Sequence, residues 1–404
     1  MKLLATEALL VALLVLAPYA AAKQLFTGRY YSEKKQYLVG EPIIVDLEIV
    51  NHGHRAGEIG EPSCEGMRPS PFEVDGATRR KKASHFSCGP TFFGGSCLVG
   101  TSKIPAEGKY IKRLFLNGPF VLNSPRTYHV RASSEEDIGR WGQREDLAHL
   151  HIESEFDLTL RVPREGELEA AYQPFFNDLD NGPDFEIRYF AATAIAQHPP
   201  LFVESVLTKI VDSPGTTIAN IVDASIVGLG RLETPSARAK LIAMASTGPD
   251  EFRQPAIQAL GELGNPSDCQ VLLFIANQNK DYTRGEAYMY AGRVCKERAI
   301  PALSRLLPTA DPLLSGYVAA AFENTLSRDA ISPLIGLLAS PDEGVRRDAE
   351  ESLETLTHQK SQYGIASAES SNKSRMEWTG WWEANGRTAP IYGPDQCADP
   401  QPLH

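Results

Sequence analysis

Ala299-Ile300-Pro301-Ala302-Leu303-Ser304-Arg305-Leu306-Leu307 aligns without a gap on Ala330-Ile331-Ser332-Pro333-Leu334-Ile335-Gly336-Leu337-Leu338, 31 residues later, and the apolar positions of the two stretches coincide. The same leucine recurs upstream at Leu207, Leu241 and Leu272, so the gaps from Leu207 to Leu334 are 34, 31, 31 and 31 residues. A period of this length is the mark of stacked helical hairpins, because one hairpin cannot bury its apolar face alone and each neighbour covers the last. Each unit has a first helix of the kind just quoted, a short turn, and a second helix such as Phe252-Arg253-Gln254-Pro255-Ala256-Ile257-Gln258-Ala259-Leu260-Gly261. Six hairpins fit, at approximately 167–198, 199–232, 233–264, 265–295, 296–327 and 328–358. The fold expected for 167–358 is therefore a right-handed α-solenoid.

In the third unit Asp250, Arg253, Ala256, Ala259, Leu260 and Gly261 stand in the second helix. This pattern resembles the HEAT-repeat family, in the short bacterial form also seen in phycobilisome-lyase-like proteins. An arginine takes the equivalent place at Arg188, Arg284 and Arg346, while Val222 and Ser315 depart from it and interrupt the arginine ladder. The resemblance implies that second helices line a concave face, with Arg188, Arg253, Gln258, Arg284, Met289 and Arg346 as candidate partner-binding residues. A second reading has each arginine bond a neighbouring turn and lock repeat to repeat, since an unmade bond at a half-buried guanidinium is costly. Lyase chemistry does not travel with the repeat.

Asp184, Asp250, Asp281, Asp311 and Asp342 precede second helices, where a carboxylate accepts bonds from free N–H groups and favours the helix dipole. The run Asp178-Leu179-Asp180-Asn181-Gly182-Pro183-Asp184 starts like a calcium loop. Its glycine falls at position five and its twelfth residue is Tyr189, which fits a turn with a helix cap instead. Cys269 lies in the opening turn of a first helix and Cys295 at the end of the second helix of the same hairpin. Antiparallel packing brings those ends together, so a disulfide between them is expected if the protein reaches an oxidising compartment, with two buried free thiols as the other possibility.

Upstream of the repeats, from residue 23 to 163, short β-rich runs are bounded by Gly, Pro and Asn. Ile43 to Val50 alternates from Val45 on and ends at the turn Asn51-His52-Gly53; Ile111 to Leu116, Thr127 to Arg131 and Phe156 to Val162 read as further strands. A β-sandwich follows from several such strands. Tyr37-Leu38-Val39-Gly40-Glu41-Pro42-Ile43, Ile104-Pro105-Ala106-Glu107-Gly108 and Pro125-Arg126-Thr127-Tyr128 resemble immunoglobulin-like modules of exported bacterial proteins and, more loosely, the intracellular proteinase inhibitor fold. His52-x-His54 and His149-x-His151 place imidazoles in metal-like pairs, but no carboxylate or cysteine is tied to them by spacing, and no metal or cofactor is expected. Arg79-Arg80-Lys81-Lys82 reads as a solvated basic loop. The whole chain is thus expected to be multidomain, all-β followed by all-α, joined at Val162-Pro163-Arg164-Glu165-Gly166.

Residues 1–22, with Lys2, the apolar run Ala8 to Ala17 and Ala20-Ala21-Ala22, have the layout of a secretory signal peptide, so an exported, periplasmic or extracellular, protein is expected. The apolar run is short for a bilayer span. All six cysteines lie after it and none forms a C-x-x-C pair; the partners of Cys64, Cys88, Cys97 and Cys397 stay open. The formal charge is −11, and from Arg164 onward 20 basic residues face 32 acidic ones, a surface that repels phosphate backbones and argues against nucleic acid. In the tail, 359–404, Ser361 to Ser374 reads as a loose polar stretch, whereas Trp378-Thr379-Gly380-Trp381-Trp382-Glu383-Ala384-Asn385 is similar to the ending of many bacterial HEAT proteins and reads as a cap on the last repeat. No nucleophile elbow, zinc-protease, P-loop or dinucleotide motif occurs. The leading expectation is a non-enzymatic, exported protein-binding or scaffolding protein; a protease inhibitor acting through the β domain and an enzyme with an inter-domain site are the alternatives.

Overall fold

The computed structural model describes residues 25–62, 70–79, 99–139, 148–213, 218–278, 283–307, 311–386 and 388–393. The leader, Cys64, Cys88, Cys97, Cys397, Arg80-Lys81-Lys82 and Asp281 lie outside the described residues. The chain divides into two compact units, the β-rich one ending at Leu168 and the helical one running on from Glu169.

The strands are β1 (Phe26–Tyr31), β2 (Gln36–Leu38), β3 (Ile44–Asn51), β4 (Gly57–Pro62), β5 (Phe72–Val74), β6 (Thr78–Arg79), β7 (Val99–Ile104), β8 (Lys109–Phe115), β9 (Phe120–Val121), β10 (Thr127–Gly139) and β11 (Ala148–Arg161). One sheet runs β1-β3-β8, a second runs β2-β11-β10-β4-β7 with β5 also on β10, and β6 pairs with β9. All pairings are antiparallel except that of β2 with β11. Alternation sends Val45, Leu47 and Ile49 inward, where they share one apolar core with Ile104, Leu116, Val130, Ile152 and Leu158. Tyr30 ties the sheets together, its N–H donating to Ser154 Oγ and its hydroxyl to Ser134 Oγ, each at 2.8 Å.

The hairpin of β10 and β11 is far longer than the runs 127–131 and 156–162 expected from composition, and its register pairs Thr127 with Thr159 through to Ile138 with Ala148. Its added length is built from acidic residues and histidines, which have little apolar signal. The inward positions, Ala132, Ile138, Leu150 and Ile152, are nonetheless buried.

The helices are α1 (Glu167–Asn181), α2 (Phe185–Gln197), α3 (Glu204–Asp212), α4 (Ala219–Leu232), α5 (Pro235–Thr247), α6 (Asp250–Leu263), α7 (Cys269–Gln278), α8 (Thr283–Cys295), α9 (Ile300–Leu306), α10 (Pro312–Thr325), α11 (Ile331–Leu337), α12 (Glu343–Thr357) and α13 (Ala368–Asn385). The periodic leucines, Leu207, Leu241, Leu272, Leu303 and Leu334, sit one in each of α3, α5, α7, α9 and α11, and all are completely buried. The second helices, α2, α4, α6, α8, α10 and α12, pack each on the next, while successive first helices meet only slightly.

Glycine makes that close packing possible. A Cβ at Gly292 would run into the backbone carbonyl of Ala321, and one at Gly261 into the ring of Tyr290, so α8 and α10, and α6 and α8, approach backbone to side-chain root. Asp184, Asp311 and Asp342 cap α2, α10 and α12 by accepting from the N–H groups of Ile187, Leu314 and Val345. Asp250 does not cap: it is the first residue of α6, and its carboxylate pairs with Arg253 one turn on. Locks between hairpins come from arginines outside the ladder. Arg231 donates to the Ala196 carbonyl at 2.9 Å, and Arg238 donates to the fully buried carboxylate of Asp268 at 2.5 Å.

Cys269 and Cys295 form a disulfide with their Cα atoms 4.9 Å apart, stapling the base of the α7–α8 hairpin. In the chain-entropy description, closing a loop of 26 residues contributes about 3 kcal/mol.

The second half of the stretch expected to be loose, from Ala368 to Ser374, is helix. Ser367 and Ser370 form a reciprocal capping box that starts α13, which runs 18 residues to Asn385. Its buried positions are Ser371, Ser374 and Trp378, so its inner face is small and polar apart from one tryptophan; Trp381 and Trp382 remain half-buried. Among the described residues no helix is long and apolar enough to cross a membrane.

Candidate functional site

The second helices carry all six residues singled out for partner contact, and their environments differ. Arg188 is half-buried and its Nε donates to the Leu179 carbonyl at 3.1 Å, closing the α1–α2 turn. Arg253 is engaged with Asp250. Gln258 is half-buried and donates to Glu262 Oε1, one turn on, at 2.9 Å. The Arg284 guanidinium lies 5.9 Å from the centre of the Tyr288 ring, while its buried Nε finds no hydrogen-bond partner among the described residues.

Two of the six offer no surface. Met289 is 2% exposed, because close packing between second helices encloses it as core. Arg346 is 5% exposed and spends its donors on backbone: Nε on the Ile365 carbonyl at 3.1 Å, and Nη1 on the carbonyls of Ser340 and Pro341 at 2.9 Å each. A guanidinium donating to three carbonyls is a clasp between the last hairpin and the segment that follows it. For these two residues the role as partner contacts gives way to packing and clasping.

What the arginine pattern overlooked is a set of carboxyl groups on the same helices. Asp223 of α4, beside the Val222 that interrupts the ladder, has a buried Oδ1 without a hydrogen-bond partner among the described residues. Burial, with Glu251 nearby, pushes its carboxyl up to about 6. Glu286 of α8 is 9% exposed and accepts from the Gln254 amide of α6 at 2.6 Å; burial pushes it up to about 7 against that hydrogen bond. The break in the ladder at Val222 was the available signal for Asp223. Nothing in the periodicity marks Glu286.

The histidine pairs of the β-rich unit are occupied locally. His52 shares a hydrogen bond with Thr27 Oγ1 at 2.9 Å, and His54 lies 2.5 Å from Glu107 Oε1. His149 meets Asp137 at 2.5 Å and His151 meets Glu135 at 2.6 Å, each directly across the β10–β11 hairpin. His151 also contacts Glu153, and the hydrogen bonds its ring donates to Glu153 and Glu135 raise its pKa. Among the described residues no group of three or more His, Cys, Asp or Glu is arranged to hold a metal ion.

No curated protein matches this chain. Among solved structures, the crystal structure of an engineered protein from the Northeast Structural Genomics Consortium is similar over 52% of this chain, with 16% sequence identity and a TM-score of 0.28. The match spans 61% of that protein's length and carries no argument about fold or function. The helical region itself is recognised: residues 219–291, from the start of α4 into α8, match the family model described as HEAT repeats, so this part of the chain carries HEAT repeats.

Proposed function

We propose that the chain is an exported, non-enzymatic binding or scaffolding protein, in which an α-solenoid of HEAT-like hairpins offers the starts of its second helices to another protein. The N-terminal unit is then an immunoglobulin-like β-sandwich carried with it. The observation behind this reading is the contrast among polar groups of the helical unit. Arg231 and Arg238 make bonds that hold hairpins together, and Arg346 clasps the last hairpin to the segment after it. Asp223 Oδ1 and Arg284 Nε, near the starts of α4 and α8, are buried and find no hydrogen-bond partner among the described residues. Buried polar atoms are rarely left so in a finished structure, and a partner's donors and acceptors would complete them.

The test is affinity capture from the source's envelope or secreted fraction, followed by binding of the captured protein to Asp223→Lys and Arg284→Glu variants. Binding at least tenfold weaker is expected, with far-ultraviolet circular dichroism unchanged. Full binding by both variants, combined with its loss on changes in β10 or β11, would put the surface on the other unit.

A further inference from the structure

Two pairs of second helices, and the last second helix with α13, meet around buried carboxyl groups on which no cation acts among the described residues. Between α6 and α8, Glu286 takes the Gln254 amide. Between α10 and α12, Glu323, 7% exposed, is hydrogen-bonded to Ser352. Between α12 and α13, Glu350 accepts from the Ser374 hydroxyl, 2.9 and 3.2 Å from its two oxygens, and from the Trp378 indole N–H at 3.2 Å. Every donor is uncharged. The neighbouring charges that act on these groups are all of their own sign: Glu351 of α12 on Glu323, and Glu354 of α12 and Glu377 of α13 on Glu350. Among the described residues no charged group acts on Glu286, and Arg253 of the facing helix is engaged with Asp250.

We infer that these three carboxyl joints form a proton-operated latch along the helical array: protonated, they close the contacts between second helices, and ionised, each leaves an uncompensated charge in a packed interface and loosens it. The inference does not depend on the array having a partner. Burial is the main cause in each case, lifting Glu286 up to about 7, Glu323 up to about 8, and Glu350 above the usual carboxylate range. The sign follows from linkage. A carboxyl whose folded-state pKa is raised contributes stability that is whole below the ordinary carboxylate range and is lost as pH rises through the folded value. For Glu286 and Glu323 that loss is complete only above about 7 and 8. Each group can change the closing equilibrium by up to about tenfold per pH unit within its window.

The experiment is hydrogen–deuterium exchange on the full chain at about pH 5.5 and about pH 8.5, expressed as protection factors so that the intrinsic pH dependence of exchange cancels. Protection in α8, α10 and α12 is expected to fall at least tenfold at the higher pH. In a Glu286→Gln/Glu323→Gln double variant most of that fall should disappear. Equal protection at both pH values in the wild type, or an equal fall in the double variant, overturns the latch. Should the double variant not fold, carboxyl-carbon NMR titration of the wild type decides: Glu286 and Glu323 titrating near 7 and 8 support it, and both titrating near roughly 4.3 refute it.

Discussion

Arg346 shows how one residue can change meaning between sequence and structure. Its donors go to the carbonyls of Ser340, Pro341 and Ile365, so removing the side chain strands buried acceptors as well as deleting charge-assisted bonds. Arg346→Ala should lower stability by about 2–4 kcal/mol in urea denaturation, and Arg346→Lys should restore little, because a single ammonium cannot span three acceptors. A loss below about 1 kcal/mol for the alanine variant would contradict the clasp. The 31-residue period put Arg346 in register with Arg253 and Arg284 but could not say what each side chain faces. The Arg346 Nε instead reaches the carbonyl of Ile365, 19 residues on, in the segment after the last hairpin. The same limit applies to Met289, whose place in the helix was readable and whose burial depends on the neighbouring helix.

Among elements, the second helices owe their close contacts to residues without side chains. Gly292→Ala should cost at least about 1–3 kcal/mol, because the added methyl meets the backbone of Ala321, which has no rotamer to change. Gly336→Ala in α11, where an added Cβ meets nothing within 4 Å, should instead stabilise by about 0.5–1 kcal/mol. Thermal denaturation of both variants checks the pair; similar shifts in the two would mean that the close approach is not holding the helices. Helical pairs were legible wherever apolar residues kept their period, as at Leu303 and Leu334. Legibility failed where burial is polar. The inner face of α13 is Ser371, on the Leu338 carbonyl, with Ser374 and Trp378 on the Glu350 carboxyl group, which no hydrophobic pattern announces. In β10 and β11, residues such as Glu135, Asp137 and His149 have weak strand preference, and their cross-strand pairs are visible only once the register is known.

At the scale of the molecule, a β-rich unit precedes a helical unit that carries HEAT repeats over residues 219–291, and the acidic excess of the chain lies in the half that holds those repeats. The HEAT repeats at residues 219–291 could be read from spacing. The candidate surface could not, because it depends on which polar atoms remain unpaired after packing, as at Asp223 and Arg284. Hydrogen–deuterium exchange of the full chain with and without its captured partner tests the proposed surface most directly. The account predicts added protection in the first turns of α4, α6 and α8, near Asp223, Arg253 and Arg284, with strands β10 and β11 unchanged; protection confined to the β-rich unit would contradict it.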